Sequence, residues 1–141
     1  MFDNYVSPWM NEELHIMRDA VRKFFQKEFV PNLGKWEKQG FVDRDAWFKA
    51  GKAGILCASI PVEYGGGGGD FRHEMVLVEE IGYARLGSFG NGVHSGIVAH
   101  YVHAYGSEEQ KRKWLPKMAT GELVGAIAMT ELGTGSDVQT V

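Results

Sequence analysis

The residues with the most chemical promise lie together near residue 130. Thr130-Glu131-Leu132-Gly133-Thr134-Gly135-Ser136-Asp137 is a run of small and polar residues. Its glycines let the backbone approach a ligand closely. Thr130, Thr134 and Ser136 offer hydroxyls, and successive turn amides can form an anion-binding concavity. The loop follows the short uncharged apolar run Leu123 to Met129, which reads as a strand. Such a loop suits an electron-rich ring carrying phosphates, although a plain Gly-Thr-Gly-Ser turn would use the same residues.

Other groups promise less. The glycine run Gly65 to Gly69 is too short for G-x-G-x-x-G, and no Lys-Ser or Lys-Thr follows it for a phosphate loop. It reads as a flexible surface turn. His94, His100 and His103 share one helical stretch, but no carboxylate or cysteine is placed to complete a metal site, so no metal is expected. Gly92-Val93-His94 puts histidine where a hydrolase elbow requires serine. Cys57, in the apolar run Gly54 to Ile60, reads as a buried small hydrophobe. Being the lone cysteine, it can form no intramolecular disulfide, which fits a reducing compartment. The net charge of −3 argues against nucleic acid as a partner, and Lys111-Arg112-Lys113 reads as a solvated helix face. The chain shows neither a signal-peptide pattern nor an apolar run of membrane length, so a soluble cytoplasmic protein is expected.

Mostly helices must position these residues. Asn11 before Glu12 and Glu13 predicts a helix start. Leu14, Met17, Val21, Phe24 and Phe25 follow at helical spacing as far as a break at Pro31. A short helical piece is predicted around Lys35 to Lys38, then a helix from Asp43 to Lys52 with Trp47 inward. Asp70 is a plausible cap for a helix to about Arg85, with Phe71, Met75 and Val78 as its apolar stripe and Glu79 and Glu80 on a solvated face. Gly92 to Tyr105 is apolar nearly all round, which predicts a buried helix. Ser107-Glu108-Glu109-Gln110 fits a capping box. Pro116 is expected to disturb or end that helix, and Gly121 to close the helical region. With 141 residues, 44% of them hydrophobic, one compact domain is expected.

Gly125-Ala126-Ile127-Ala128-Met129-Thr130-Glu131-Leu132-Gly133-Thr134-Gly135-Ser136-Asp137 resembles the flavin-binding signature of acyl-CoA dehydrogenases. Other pieces agree in order: Pro61-Val62-Glu63-Tyr64-Gly65-Gly66, Glu79-Glu80-Ile81-Gly82, His94-Ser95-Gly96-Ile97, and Gly106-Ser107-Glu108-Glu109-Gln110-Lys111 through Leu115-Pro116. The resemblance runs from about residue 10 to the end and leans to the long-chain branch. It departs at Leu132, where the family usually has a proline that would pre-set the turn.

The resemblance implies a mainly α fold. A helical bundle over 1–121 would be the N-terminal domain, and 122–141 the start of a truncated middle β-domain with its first strand. It implies FAD as cofactor, contacted by Ile127, Ala128, Met129, Thr130, Glu131, Leu132, Gly133, Thr134, Gly135 and Ser136. Thr130 would hydrogen-bond the ring edge. Ser136, Val93 and His94 would meet a fatty acyl-CoA substrate. The reaction would be α,β-dehydrogenation to the 2-enoyl-CoA, with electrons passed to an electron-transfer acceptor. The family's glutamate base lies in a C-terminal helical domain with no counterpart here, so Glu63, Glu79, Glu80 and Glu131 are not candidates. The isolated chain is expected to be inactive and to hold FAD weakly or not at all. Homo-oligomers, usually tetramers, are implied for the parent. A non-catalytic helical interaction module derived from the family remains an alternative. So does a fragment of a related acyl-CoA oxidase or nitroalkane oxidase.

Overall fold

A computed structural model describes residues 6–137 and 139. Helix α1 runs Glu12–Phe24, and the Asn11 side chain accepts from the Leu14 amide at 2.9 Å. Glu12 and Glu13 sit in its first turn, Arg22 and Lys23 in its last, and both pairs complement the helix dipole. Pro31 brings no N–H and cannot continue the ladder. The chain passes it through a π turn, Phe25–Phe29, and a 3-10 turn, Val30–Asn32. The Asn32 side-chain amide donates to the Glu28 carbonyl at 2.8 Å. Helix α2, Leu33–Gln39, then follows.

This turn sets the centre of the core. Phe25 and Phe29 are fully buried. Phe29 meets Phe89 edge-on at 4.9 Å between ring centroids and Trp36 of α2 at 5.4 Å. Each such buried ring stabilises the fold by about 1.5–3 kcal/mol through area alone. Helix α3, Arg44–Lys52, turns Trp47 inward as expected, against Phe89.

The glycine run is a surface loop as expected, but its backbone is pinned. The amides of Gly67, Gly68 and Gly69 donate to the carbonyls of Cys57, Ile60 and Ala58 at 3.1, 2.9 and 2.9 Å. A Cβ on Gly66 would collide with the Ile60 carbonyl, and one on Gly67 would lie 2.7 Å from that of Ala58. Two backbones lie face to face, so glycine is required for contact here. These amides are already engaged by protein carbonyls, which leaves no phosphate cradle.

Helix α4, Phe71–Tyr83, starts at Asp70 as predicted, but buries a different face. Phe71 and Val78 are exposed, whereas Glu74, Val76, Leu77 and Glu80 are buried. Glu80 is not on a solvated face: both its oxygens accept from Arg22 of α1, at 2.8 and 2.6 Å. Glu74 accepts from the amide and hydroxyl of Ser59 at 3.2 and 2.9 Å. Carboxylates with such partners can occupy an inward stripe that hydropathy assigns outward.

The next helical stretch comprises α5, Asn91–Val93, a π segment, His94–Ala99, and α6, His100–Tyr105. It is not buried all round. Val93, Ile97, Tyr101 and Tyr105 recur every four residues along its exposed side. Helix α7, Glu108–Ala119, opens with the expected capping box between Ser107 and Gln110. Pro116 lies inside α7 and does not end it. Gly121, in the left-handed region at φ +79°, closes the helical region. A Cβ there would strike the Trp47 carbonyl, so α3 and the end of α7 meet backbone to backbone.

The mainly α fold expected from the sequence is therefore what the chain adopts. The strand read over 123–129 does not form: among the described residues there is only an isolated bridge, between Glu131 and Thr134. A strand requires a neighbouring strand for its ladder, and none lies beside this segment. No helix among the described residues is long and apolar enough to cross a membrane.

Candidate functional site

The segment after Gly121 is tied down at its base. Arg44 of α3 donates to the Glu122 carbonyl, the Leu123 amide donates to Lys117 at 3.0 Å, and the Gly125 amide donates to His94 Nδ1 at 2.9 Å. Gly125 is packed closely: a Cβ would lie 2.8 Å from Val98 Cγ1 and 3.1 Å from Met118 Cε. Beyond it the chain stands out from the helices. Ile127, Met129 and Leu132 are exposed, as are Thr130, Glu131 and Ser136.

A tight turn shapes the middle of the segment. The Thr134 amide donates to the Glu131 carbonyl at 3.2 Å, and the Glu131 amide donates to the Thr134 hydroxyl at 3.4 Å. Thr134 is thus buried and its hydroxyl serves the turn. Thr130 and Ser136 are exposed. Leu132 occupies the first central position, where proline would fix φ without cost. Its side chain is fully exposed, so leucine loses stiffness there and gains no packing.

Gly133 and Gly135 differ from Gly121 and Gly125. A Cβ on either would meet nothing within 4 Å, and neither has a positive φ. The chain's own packing gives no reason for glycine at these two positions.

The expected substrate contacts separate. Val93 lies at the exposed face of α5, beside Gly92, Gly96 and Ile97. His94 turns into the core, fully buried and 5.2 Å edge-on from Trp47. Both its ring nitrogens have backbone partners, Gly125 at Nδ1 and the Met118 carbonyl at Nε2, 3.1 Å away. It offers no ring atom to an acyl chain, and the expectation that it lines such a pocket gives way to a role in holding the segment. Burial holds its pKa below the ordinary histidine value, helped by the Arg44 charge and opposed by the Met118 carbonyl.

The remaining polar clusters are structural in geometry. His100 Nε2 lies 2.9 Å from Ser59 Oγ, which also reaches Glu74. The serine stands between the histidine and the acid, not at the end of the relay that a nucleophile needs. His103 packs on the Tyr64 ring at 5.6 Å, so the three histidines face different neighbours. No group of three metal-ligating side chains occurs among the described residues. Cys57 is fully buried and its thiol is pushed up to about 12, mainly by that burial. Its backbone takes an unusual positive φ of 55°, and its amide donates to Ser95 Oγ at 2.9 Å. Ser95 in turn donates to Asn91 at 2.7 Å. Sequence patterning did not reveal that buried pair.

A helical bundle that ends in an outward loop of hydroxyls and open glycines has close counterparts. Residues 11–122 match the acyl-CoA dehydrogenase N-terminal domain, and the chain belongs to the acyl-CoA dehydrogenase family. It is 47% identical over 131 residues to the mitochondrial long-chain specific acyl-CoA dehydrogenase of Sus scrofa, covering 93% of this chain and 30% of that protein. Among solved structures, an acyl-CoA dehydrogenase from Geobacillus kaustophilus superposes with a TM-score of 0.91 at 45% identity, over 96% of this chain and 36% of that one. An acyl-CoA dehydrogenase complexed with FAD from Bacillus anthracis gives 0.88 at 33% identity, over 97% and 24%. The chain therefore spans about a third of the length of such relatives, and the Sus scrofa protein's mitochondrial setting lends no support to a cytoplasmic one here.

Proposed function

We propose that this chain is the N-terminal helical part, over 1–121, and the flavin-facing segment, over 122–141, of an FAD-dependent acyl-CoA dehydrogenase. The proposed substrate is a fatty acyl-CoA of the long-chain class, converted to its 2-enoyl-CoA, with the electrons leaving to an electron-transfer acceptor. The observation that carries the reading is the pair of glycines, Gly133 and Gly135, which nothing in the chain requires and which stand in an exposed loop. Exposed Ile127 and Met129 supply apolar surface for a planar ring, and the hydroxyls of exposed Thr130 and Ser136 supply its polar edge. These residues fit a flavin. When bound, FAD supplies the hydride acceptor.

In this reading Thr130 donates a hydrogen bond to the ring edge, where negative charge grows during reduction. A donor already aimed at that position lowers the barrier because it needs no reorganisation. Ser136 lies where ring and thioester meet. Val93 and Ile97 wall the acyl chain, and Gly92 and Gly96 beside them leave depth, since a Cβ on either meets nothing within 4 Å. The base that takes the α-proton comes from outside this chain. The chain alone is accordingly proposed to be inactive.

Anaerobic stopped flow on the full-length enzyme tests the reading. Long-chain acyl-CoA should bleach the flavin. Thr130→Val should slow the bleaching roughly a hundredfold, as expected for one lost donor worth about 3 kcal/mol. No bleaching with any acyl-CoA, or an unchanged rate in the variant, would refute the corresponding assignment.

A further inference from the structure

One imidazole joins three parts of the molecule. His94 opens the π segment; its Nε2 faces the Met118 carbonyl near the end of α7, and its Nδ1 faces the amide of Gly125. A carbonyl can only accept and a backbone amide can only donate. The two partners therefore dictate the tautomer: Nε2 carries the proton and Nδ1 the lone pair. Among the described residues, Gly125 is also the last backbone anchor before the turn at Glu131 and Thr134. Residues 126–130 leave the helical domain from that point.

We propose that neutral His94, fixed in this tautomer, is a positioning residue that sets the take-off of the 127–136 segment and hence where Thr130 and Ser136 stand. That they stand against a flavin rests on the reading above; the anchoring itself does not. Gly125 fits the role because the amide can reach the ring only if the chain lies flat on Val98 and Met118. Protonated His94 would have no lone pair for Gly125, so the anchor should open in acid. The groups facing the ring are Trp47 from α3, the Met118 carbonyl from α7 and the Gly125 amide, all neutral. Arg44 is the charge that bears on it, and it opposes protonation.

Nitrogen-15 NMR of the 141-residue chain tests this without flavin. The imidazole should show a protonated Nε2 and a coupling from the Gly125 amide to Nδ1. Acidification that protonates His94 should lower the protection factor of the Gly125 amide, its exchange relative to an unstructured amide at the same pH, about tenfold, the worth of one hydrogen bond, while core amides of α1 and α4 keep theirs. His94→Asn, which keeps an acceptor near the Nδ1 position, should preserve Gly125 protection. His94→Gln, whose amide reaches toward the Nε2 position instead, should lose it. A protonated Nδ1, or a Gly125 protection factor indifferent to acid, would overturn the anchor even if a variant failed to fold. Added FAD should shift the 127–136 amides in the wild type. If the anchor results hold and FAD moves none of these resonances, the flavin reading falls and the anchor stands.

Discussion

Replacing Arg22 by methionine should destabilise the domain far more than an exposed arginine normally would. The reason lies in its partner. Glu80 is 2% exposed and holds Arg22 through two hydrogen bonds of 2.8 and 2.6 Å. Loss of one member of a fully buried pair costs about 3–5 kcal/mol, because a charge is left without a partner. The Arg22 side chain is 48% exposed, so water can follow it in and hydrate part of the vacated carboxylate. Solvent screening roughly halves the figure, to about 2 kcal/mol. At a urea slope of about 1–2 kcal/mol per molar, the unfolding midpoint should fall by about 1–2 M. Arg22→Met combined with Glu80→Met should recover at least half of the loss, since the stranded charge is gone. Urea titrations of the four proteins in the cycle measure both effects. A single variant within about 0.5 kcal/mol of the wild type, or a double variant no more stable than the single, would refute the reasoning.

Gly121→Ala should cost about 2–4 kcal/mol, because it adds a clash with the Trp47 carbonyl to the roughly 1 kcal/mol penalty of a positive φ. Gly40→Ala, at φ +81° in open space, should cost only about 1 kcal/mol, and equal melting points for the two would defeat the account. Cys57, buried with its thiol pushed up to about 12, should resist alkylation in the native protein near pH 8 and react only as fast as the chain unfolds. Rapid native labelling, followed by mass spectrometry, would contradict this. Stability should decline on acidification in two stages, measured as urea midpoints against pH. His94 has a lowered folded value, so the unfolded chain takes up the proton first and stability falls below about pH 6.5. Asp43, held at about 2 by Gln39 and Lys35, and Asp70, held well down by Arg72, then lose their contribution as pH drops through the carboxylate range. A midpoint that rose on acidification would be the wrong sign.

Much of the helical frame was legible because its signals are local. Asn11, Asp70 and the Ser107–Gln110 box each cap the helix that their side chains predict. The inward run from Leu14 to Phe25 also follows its period. The failures arise where tertiary partners outrank hydropathy. In α4, Glu74 and Glu80 hold the inner face because Ser59 and Arg22 satisfy them, and Phe71 and Val78 are left outside. A hydropathy stripe cannot register a partner 58 residues away. The glycine run failed differently. A flexible surface turn follows from glycine's permissiveness, yet glycine is also what lets a second backbone close in, and Gly66 and Gly67 serve that use.

The candidate site divides along the same line. Its proposed chemical residues stand out as a set, because Thr130, Gly133, Gly135 and Ser136 fall within one short stretch and their types state what they can offer. Their supports do not, because each comes from elsewhere in the chain. Arg44 holds Glu122, His94 holds Gly125, and Val98 with Met118 makes the floor on which Gly125 lies. His94 is such a support. The family resemblance implies that it faces substrate, whereas its ring is fully buried. Trp47 on one side and two backbone partners, at Gly125 and Met118, hold it inward. The strand reading of Leu123 to Met129 fails for the converse reason. Apolar composition gave the segment a strand's character, but its observed amide bonds go to Lys117 and His94, within the helical domain, and not to a neighbouring strand. The helical domain therefore fixes where the loop begins, while the turn at Glu131–Thr134 fixes its shape. Position and shape can thus be perturbed separately, the first at His94 and the second at Leu132.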